Sequence, residues 1–406
     1  MPRGRVQRFV LLGTLYFAQG LPFGFFVQAV PVLMRKAGYS LSTIGLATLL
    51  SLPWALKFLW APVVDRTYSR RLGRRRTWIL AMQLAGTAIL GGIALAPGSE
   101  ALAVLMTAMF VLNLVAATQD IATDGLAVEL LPPDERGLAN GLQVAGYRIG
   151  MIVGGGVLLG LHDDLGHHGV FALMAFLTAL SSVPVLAMRE PPTVEITDEE
   201  TPREKLVHFL HLPGAWRVIA LVLAYKLGEA AAQGMFKPFL VDHGLDVDDI
   251  AKISGTVGAA AGMAGALVGG FAVTRLGRLR ALVVFGIGQV VTVLGYAYLA
   301  FTTPTYAEFY VWGGVEHFAS GCATAALFTA MMDWSRPEAS GTDYTVQASA
   351  VVIATGASAA IGGTSAQLLG YGGHFVLSAG LALAAIAVVI RLFPRVPFPP
   401  GPQKQP

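Results

Sequence analysis

Charged residues are scarce in this chain of 406 residues: they make up 13% of it, against about 25% in a typical soluble domain. Hydrophobic residues make up 54%, and the mean hydropathy is +0.62. Apolar runs of about 18 residues or more recur from one end to the other, and each is long enough to cross a membrane as a helix. The shortage of charge excludes an ordinary soluble domain and predicts a protein that crosses the membrane many times.

Other absences narrow the function. The single cysteine, Cys322, excludes a disulfide within the chain and any metal site built on cysteines. No nucleotide-binding motif is present, which argues against direct drive by ATP. The net charge of +3 gives no reason to expect a nucleic-acid partner. We therefore expect no cofactor, no metal and no enzymatic activity. The histidine-rich run "HDDLGHH", from His162 to His168, is interpreted as a solvated loop because it lacks the H-x-x-x-H spacing of a helical metal site.

The apolar runs predict an all-α integral membrane protein with twelve transmembrane helices. Arginine and lysine fall almost entirely in one set of connections between them, and the opposite set holds only Arg35, Lys36 and Lys252. By the positive-inside rule, both termini should then lie in the cytoplasm. The predicted spans are approximately 9–31, 42–64, 77–96, 103–130, 138–161, 170–188, 215–240, 250–274, 280–301, 306–333, 344–370 and 374–392.

The two halves of the sequence resemble each other at an offset of about 205 residues. "GYSLSTIG", from Gly38, matches "GLDVDDIA", from Gly244, and "RLGRRR" matches "RLGRLR". A polar stretch that begins "REPPTVEITDEETPREK" separates the halves. We predict a six-helix bundle at 1–190, a cytoplasmic linker at 191–214 and a second six-helix bundle at 215–406. Parallel repeats of this kind place a substrate site between the halves, near the middle of the membrane.

The segment "APVVDRTYSRRLGRRR", from Ala61, resembles the loop between helices 2 and 3 of the major facilitator superfamily, usually written G-x-x-x-D-R-x-G-R-R. The loop departs from that pattern in two ways. Ala61 replaces the first glycine of the motif, and extra residues lie between Arg66 and Gly73. The second copy, "GGFAVTRLGRLR", has Thr274 where the acid would be. The resemblance implies a gating role, better supported in the first half. The positions of the motif are filled by Asp65, Arg66, Gly73, Arg74 and Arg75.

Longer segments resemble the AmpG-like branch of that superfamily, which includes muropeptide permeases and acetyl-CoA transporters. They are "GLATLLSLPWALKFLWAPVVDR", "QDIATDGLAVELLPPDERGLANGLQVAGYRIG" and "EHFASGCATAALFTA". Two further segments, "YFAQGLPFGFFVQAVPVL" and "GTDYTVQASAVVIATG", are more similar to siderophore transporters of the RhtX/FptX type. The resemblance implies a monomeric, proton-coupled importer in a bacterial inner membrane. Its small-molecule substrate would be a siderophore or iron–siderophore complex, or alternatively a muropeptide.

Ionisable side chains inside the membrane are expensive and mark functional sites. Asn113, Asp120 and Asp124 form a polar stripe on one face of the fourth span. Two carboxylates one turn apart repel each other, so one of them needs a proton or a cation, and Arg148 on the next span is our candidate. The stripe either couples transport to protons or contacts substrate, or it is a static ion-pair link between two helices. Lys57 either reaches the cytoplasmic face or contacts substrate.

The seventh and tenth spans carry two more polar sets. Lys226, Glu229, Gln233 and Lys237 lie on one helical face, and Lys226 and Glu229 can pair with each other. Lys237 either faces the cavity, where it would suit an anionic substrate, or extends to the headgroups. On the tenth span, a glutamate beside a histidine is a candidate proton acceptor and relay, with pairing of the glutamate to a lysine as the alternative. This second set is Glu316, His317 and Ser320.

Four features complete the prediction. Tyr16, Gln19 and Gln28 on the first span and Gln347 on the eleventh add uncharged hydrogen-bonding groups, and the resemblance implies that helices 1, 4, 7 and 10 line the cavity. Glu129 lies within reach of the arginine-rich loop at 65–76, where it either pairs or is solvated. The glycines at 146, 150 and 154 predict close helix packing, and those at 156 and 160 continue the spacing. A lipid-linked flippase and a non-transporting sensor are the rival functions.

Overall fold

The computed structural model of the chain describes residues 4–30, 48–96, 102–188, 209–212 and 214–393, together with residues 34, 38 and 190. These residues are predominantly helical and contain no β-strand. Eight helical stretches among them are long and apolar enough to cross a membrane, so the count of twelve spans stays a prediction. The principal helices are α1 (Arg5–Gly24), α2 (Ala61–Arg66), α3 (Arg74–Leu95), α4 (Leu102–Leu130), α5 (Arg136–Met151), α6 (His162–Leu180), α7 (Ala215–Asp242), α8 (Gly258–Leu276), α9 (Arg278–Phe301), α10 (Tyr306–Asp333) and α11 (Ser340–Leu392).

The second predicted span is broken into short pieces where the structure describes it. Pro53 lies at the start of the helix Leu52–Leu56, and Pro62 lies at the start of α2. Proline has no backbone N–H and its ring clashes with the preceding turn, so it fits the first turn of a helix and weakens or kinks the helix when it lies farther inside. A 3₁₀ turn, Lys57–Leu59, lies between the two prolines and places Lys57 inside the protein.

Glycines mark two breaks in longer helical runs. Gly370 has φ 69° and ψ 171° inside α11, which separates the two spans predicted in this region. Gly166 has φ 65° inside α6, and only glycine adopts such angles readily. The run "HDDLGHH" is therefore helical on both sides of Gly166, and our interpretation of it as a loop was wrong. His168 accounts for part of this order, because its Nδ1 lies 2.7 Å from the carbonyl oxygen of Ala94.

Contacts divide the chain into two compact units. Unit 1 comprises Met1–Leu131, Gly146–Leu206 and Pro337–Thr345, and unit 2 comprises Pro132–Ala145, Val207–Arg336 and Val346–Pro406. Each unit takes in a short segment from the other half of the sequence, and each of these segments contains the start of a helix, α5 or α11. The predicted bundles at 1–190 and 215–406 did not include this exchange of segments. The division of the membrane-spanning helices into these two bundles stays a prediction.

Small residues let α1 approach the second part of α5 and the π-helical segment Ile152–Val157 that continues it, in unit 1. A Cβ at Gly150 would collide with the backbone of Phe17, and a Cβ at Gly154 would collide with that of Leu21. The predicted close packing is confirmed at these positions and at Gly146, which faces Gly13. The glycines at 156 and 160 have open space where a Cβ would lie, so the packing prediction does not extend to them.

Candidate functional site

A buried ion pair lies at the centre of unit 1. The Lys57 ammonium group bonds to Asp120 Oδ2 and lies 3.9 Å from Asp124 Oδ2. The Lys57 side chain is 2% exposed, so it does not extend to the membrane surface, and that alternative was wrong. Lys57 is thus the cation on Asp120, and the pairing that we expected with Arg148 stays a prediction. The match depends on the break at Pro53 and Pro62, which turns Lys57 towards α4.

Hydrogen bonds hold the rest of the predicted stripe on α4. The hydroxyl of Tyr16 donates to Asp124 Oδ1 at 2.8 Å, and Trp54 Nε1 donates to Asn113 Oδ1 at 3.0 Å. Lys57 carries one charge and cannot neutralise both carboxylates. The two carboxylates, Asp120 and Asp124, therefore need a second cation or a proton. Two carboxylates that share one cation are suited to bind a proton.

A second polar cluster lies in unit 2, between α7 and α10. The Lys226 ammonium group lies 2.7 Å from Glu229 Oε2, as the internal pairing predicts. Ser320 Oγ donates to Glu229 Oε1 at 2.7 Å, and Lys226 also reaches Thr324 Oγ1 at 3.4 Å. The predicted side chains of the seventh and tenth spans thus meet in the folded protein.

Glu316 belongs to the same cluster and lies one helical turn before Ser320 on α10. Its carboxylate accepts hydrogen bonds from Gln233 Nε2 at 3.0 Å and from the Tyr296 hydroxyl at 3.2 Å, and its side chain is 1% exposed. His317 Nδ1 lies 2.8 Å from the carbonyl oxygen of Gly313 and 3.2 Å from Glu316 Oε2. The tyrosine partner was not predicted, because it comes from α9, which lies outside the four helices implied to line the cavity.

Lys237 and Gln347 are not part of these clusters. Lys237 is exposed on α7, and the choice between the cavity and the headgroups stays a prediction. Gln347 donates to Met331 O and Ser335 Oγ, each at 3.2 Å, which gives it a role in packing. The side chain of Gln28 lies outside the described residues.

Sequence reasoning also missed a buried histidine in unit 2. His374 is 1% exposed, and its Nδ1 lies 2.7 Å from Ser365 Oγ while its Nε2 lies 3.1 Å from the carbonyl oxygen of Ala231. It links α11 to α7 across the break at Gly370. No signal in the sequence distinguished it, since a lone histidine in an apolar run is ambiguous.

The loop predicted to act as a gate forms a charged network within unit 1. Asp65 Oδ1 lies 2.7 Å from Arg75 Nη1 and 3.0 Å from Arg74 Nη2, and Arg75 Nη2 lies 2.6 Å from Glu129 Oε1. The contact predicted between Glu129 and this loop is therefore present. Gly73, with φ 100°, precedes α3 and turns both arginines inwards, whereas Arg66 is exposed.

The start of α11 binds to the same network. Thr342 donates to Asp65 Oδ2 through its backbone N–H at 2.7 Å and its hydroxyl at 2.6 Å. Ser340 Oγ donates to Glu129 Oε1 at 2.6 Å and accepts from Arg75 Nη2 at 2.7 Å. Burial alone would raise the pKa of Asp65, but Arg75, Arg74 and Thr342 together lower it, so the carboxylate stays charged.

Unit 2 contains a related network that sequence reasoning missed. Asp333, at the end of α10, accepts from Arg278 Nε at 2.5 Å and from Arg136 Nη1 at 2.7 Å. Arg278 also donates to the carbonyl oxygen of Pro133 at 2.6 Å. Asp333 corresponds to Glu129 in the sequence repeat, so applying the repeat to Glu129 would have found it. Thr274, at the position of the missing acid, bonds to the carbonyl oxygen of Phe271 and not to an arginine.

Comparisons with known proteins agree with this architecture. The chain matches the family model described as Major Facilitator Superfamily over residues 12–315. The anhydromuropeptide permease of Escherichia coli strain K12 is 30% identical over 392 residues, which cover 94% of this chain and 79% of that protein. A putative transporter named AmpG 4 from Rickettsia conorii is 24% identical over 409 residues, which cover 97% of each chain.

Solved structures show the same fold at lower identity. The fucose:proton symporter FucP of E. coli aligns with a TM-score of 0.74 at 12% identity, over 95% of this chain and 98% of that one. A bacterial homologue of the iron transporter ferroportin, in an outward-facing state, aligns with a TM-score of 0.72 at 20% identity, over 96% and 100%. With the family match, the 30% identity to a permease and the sequence repeat, this chain belongs to the major facilitator superfamily, in its AmpG-like branch.

Proposed function

We propose that this transporter imports anhydromuropeptides across a bacterial inner membrane, driven by protons. The observation that carries the proposal is the 30% identity to the E. coli anhydromuropeptide permease over 94% of this chain. The relatives that we compared are permeases and transporters, which agrees with the expectation that the protein is not an enzyme. The substrate is a small molecule, and both termini lie in the cytoplasm, as the distribution of cations predicts.

The siderophore that we expected from two sequence segments gains no support from these relatives. The ferroportin homologue shares only the fold, since its identity of 20% is too low to transfer a substrate. A siderophore therefore becomes the second solute in the test below. Neither a lipid-linked flippase nor a sensor is favoured by a specific contact among the described residues.

The charged clusters supply the proton sites of the proposed mechanism. Asp120 and Asp124 share the single cation Lys57, so a proton on one carboxylate leaves the other to keep the ion pair. Glu316 accepts from two neutral donors and lies beside His317, which can pass a proton to it. Each cluster would bind a proton on one side of the membrane and release it on the other. This cycle couples movement of the solute to the proton gradient.

The arginine networks supply the gate. The loop that contains Asp65 and Arg75 holds the start of α11 in unit 1, and Asp333 holds Arg136 and Arg278 together in unit 2. Both networks lie on the side that the cations predict to be cytoplasmic. Their rupture and renewal in each cycle would give alternating access to the substrate.

Uptake into inverted and right-side-out vesicles tests the function. Labelled anhydromuropeptide should accumulate when a pH gradient is imposed, and a proton-conducting uncoupler should reduce it to the equilibrium level. Labelled siderophore and iron–siderophore complex serve as the comparison solutes. Accumulation of a siderophore alone would reverse the substrate assignment. Undiminished anhydromuropeptide uptake after the gradient collapses would remove the proton from the mechanism.

A further inference from the structure

Gln19 is a buried amide with no partner. The residue is 1% exposed, and neither Nε2 nor Oε1 forms a hydrogen bond within the part of the chain that the structure describes. Buried polar atoms are almost always paired, because leaving one unpaired loses its hydration without compensation. Such a group in a transporter is a candidate for a contact that the substrate completes.

Aromatic rings lie on both sides of Gln19 along α1. Tyr16 is one turn before it and Phe23 one turn after it, which puts the three on one helical face. The Phe23 ring lies 5.5 Å from the Trp54 ring and 5.8 Å from the Tyr147 ring, measured between centroids. Asn113 fixes the edge of the Trp54 indole at 3.0 Å. A narrow cleft lies beside Phe23 and Asn113, and Gln19 is not among the residues that line it.

The two carboxylates of α4 in this unit have partners already. Asp120 is paired with Lys57, and Asp124 accepts from Tyr16. A charged ligand group at this place would have to break one of these contacts. A neutral group that both donates and accepts hydrogen bonds, and that has an apolar face for the aromatic rings, would break neither. A sugar ring has these properties, with hydroxyl or acetamido groups at its edge and C–H bonds on its faces.

We propose that Gln19, Phe23, Trp54 and Tyr147 form a sugar-binding subsite within unit 1, in which Gln19 reads the polar edge of one ring and the aromatic side chains cover its face. The subsite rests on the proposed function, since it takes the saccharide part of an anhydromuropeptide. The peptide part binds elsewhere. Gln19 is then a residue that determines specificity, because a site built to hydrogen-bond a polar group discriminates strongly against ligands that lack it.

Calorimetric titration of the purified full-length protein in lipid nanodiscs tests the subsite without relying on transport. The probes are the peptide-free disaccharide of an anhydromuropeptide and the sugar-free peptide. Gln19→Leu keeps the size of the side chain and removes both amide atoms. It should weaken binding of the disaccharide by about ten- to a hundredfold and leave binding of the peptide unchanged. Trp54→Leu should weaken binding of the disaccharide in the same way.

Gln83→Leu is the matched control. Gln83 is a buried amide of the same unit whose Nε2 is satisfied by Ser181 Oγ at 3.1 Å, although its Oε1, like that of Gln19, has no partner among the described residues. Its replacement should lower the unfolding temperature and leave affinity for the disaccharide unchanged. Gln19→Leu should do the reverse, with lost affinity at an equal or higher unfolding temperature, because it removes an unpaired buried group. This opposition separates a binding role from a structural one.

Several outcomes would overturn the subsite. One is unchanged affinity for the disaccharide in Gln19→Leu, another is equal loss of affinity for the peptide, and a third is absence of binding by the disaccharide to the unaltered protein. The proposed function fails separately, when vesicles accumulate no anhydromuropeptide. A protein that binds the disaccharide through Gln19 but accumulates no anhydromuropeptide would keep the subsite and lose the function.

Discussion

At the scale of single residues, the ion pair between Lys57 and Asp120 dominates the electrostatics of unit 1. Taking two charges out of water costs several kcal/mol for each ion, and their attraction repays this only when both are present. The Lys57 ammonium group also lies 3.9 Å from Asp124, which keeps one carboxylate nearby when the other is protonated. Removal of either partner therefore leaves an uncompensated buried charge, and Asp124 lies close enough to Lys57 to act as a second partner.

Asp120→Asn should abolish uphill accumulation and lower the free energy of unfolding by about 3 kcal/mol, because it leaves the buried Lys57 without its direct partner. The double variant Lys57→Met with Asp120→Leu should regain most of that stability, since no charge is left unpaired, yet still fail to accumulate solute. Thermal unfolding of the purified protein and vesicle uptake under a pH gradient measure the two effects. Normal accumulation by Asp120→Asn would reduce Asp120 to a structural role.

The carboxylate of Asp65 should be insensitive to pH over the working range. Its pKa is lower in the folded protein than the ordinary value of 3.8, because its arginine partners outweigh the effect of burial. A lowered pKa means that its stabilising contribution is present above the ordinary value and is lost only as the pH falls through the folded pKa. The gate therefore does not open by protonation of this group.

Asp65→Asn should reduce the rate of uptake by about tenfold at every pH from about 5.5 to 8, without moving the midpoint of the pH profile. The loss arises because the amide cannot hold Arg75 and Thr342 together as the carboxylate does. Initial uptake rates across this pH range measure both properties. A shifted midpoint would show that Asp65 itself titrates during transport.

At the scale of elements, prolines and glycines decide how the helices meet. Pro53 and Pro62 break the second span and turn Lys57 inwards, and glycines let α1 lie against the second part of α5. The sequence pattern located the packing glycines at 146, 150 and 154, whereas it predicted the second span as unbroken. The pattern did not show which glycines face a neighbour, because a spacing of four fits either side of a helix.

Gly154→Ala should destabilise the protein by about 1–3 kcal/mol, because its new methyl group would meet the backbone of Leu21. Gly156→Ala is its matched control. Open space surrounds that position, so the change should be neutral or slightly stabilising through the better helix propensity of alanine. The difference in unfolding temperature between the two variants is the measurement, and equal temperatures would contradict the packing that we describe.

At the scale of the whole molecule, Glu129 and Asp333 occupy equivalent positions in the two halves of the sequence but bind different partners. In unit 1, Glu129 is bound by Arg75 and by Ser340 at the start of α11. In unit 2, Asp333 is bound by Arg278 and by Arg136 at the start of α5. Each half of the sequence thus supplies the beginning of one helix to the other unit. This exchange is the feature that the gate would use.

A disulfide between Glu129→Cys and Ser340→Cys, formed with an oxidant in a Cys322→Ala background, should stop uptake, and a reductant should return it to the lower rate of the uncross-linked double variant. The start of α11 would no longer be able to leave the loop that contains Arg75. The control pair is Gln83→Cys with Ser181→Cys, which joins α3 to α6 within one predicted bundle and should leave uptake unchanged. Continued uptake by the cross-linked first pair would contradict the gating role of this contact.

The sequence alone determined that the chain is an all-α membrane protein with two related halves, and it located Asp120, Asp124, Glu229 and Glu316 as buried polar positions. These properties are local: an apolar run must be long enough to cross lipid, and a charge within it is visible wherever the helix packs. Only the tertiary structure decided the pairings, such as Lys57 with Asp120 and Asp333 with both arginines. A pairing depends on distances between elements far apart in the chain, and those distances follow from how proline breaks and glycine contacts orient the helices.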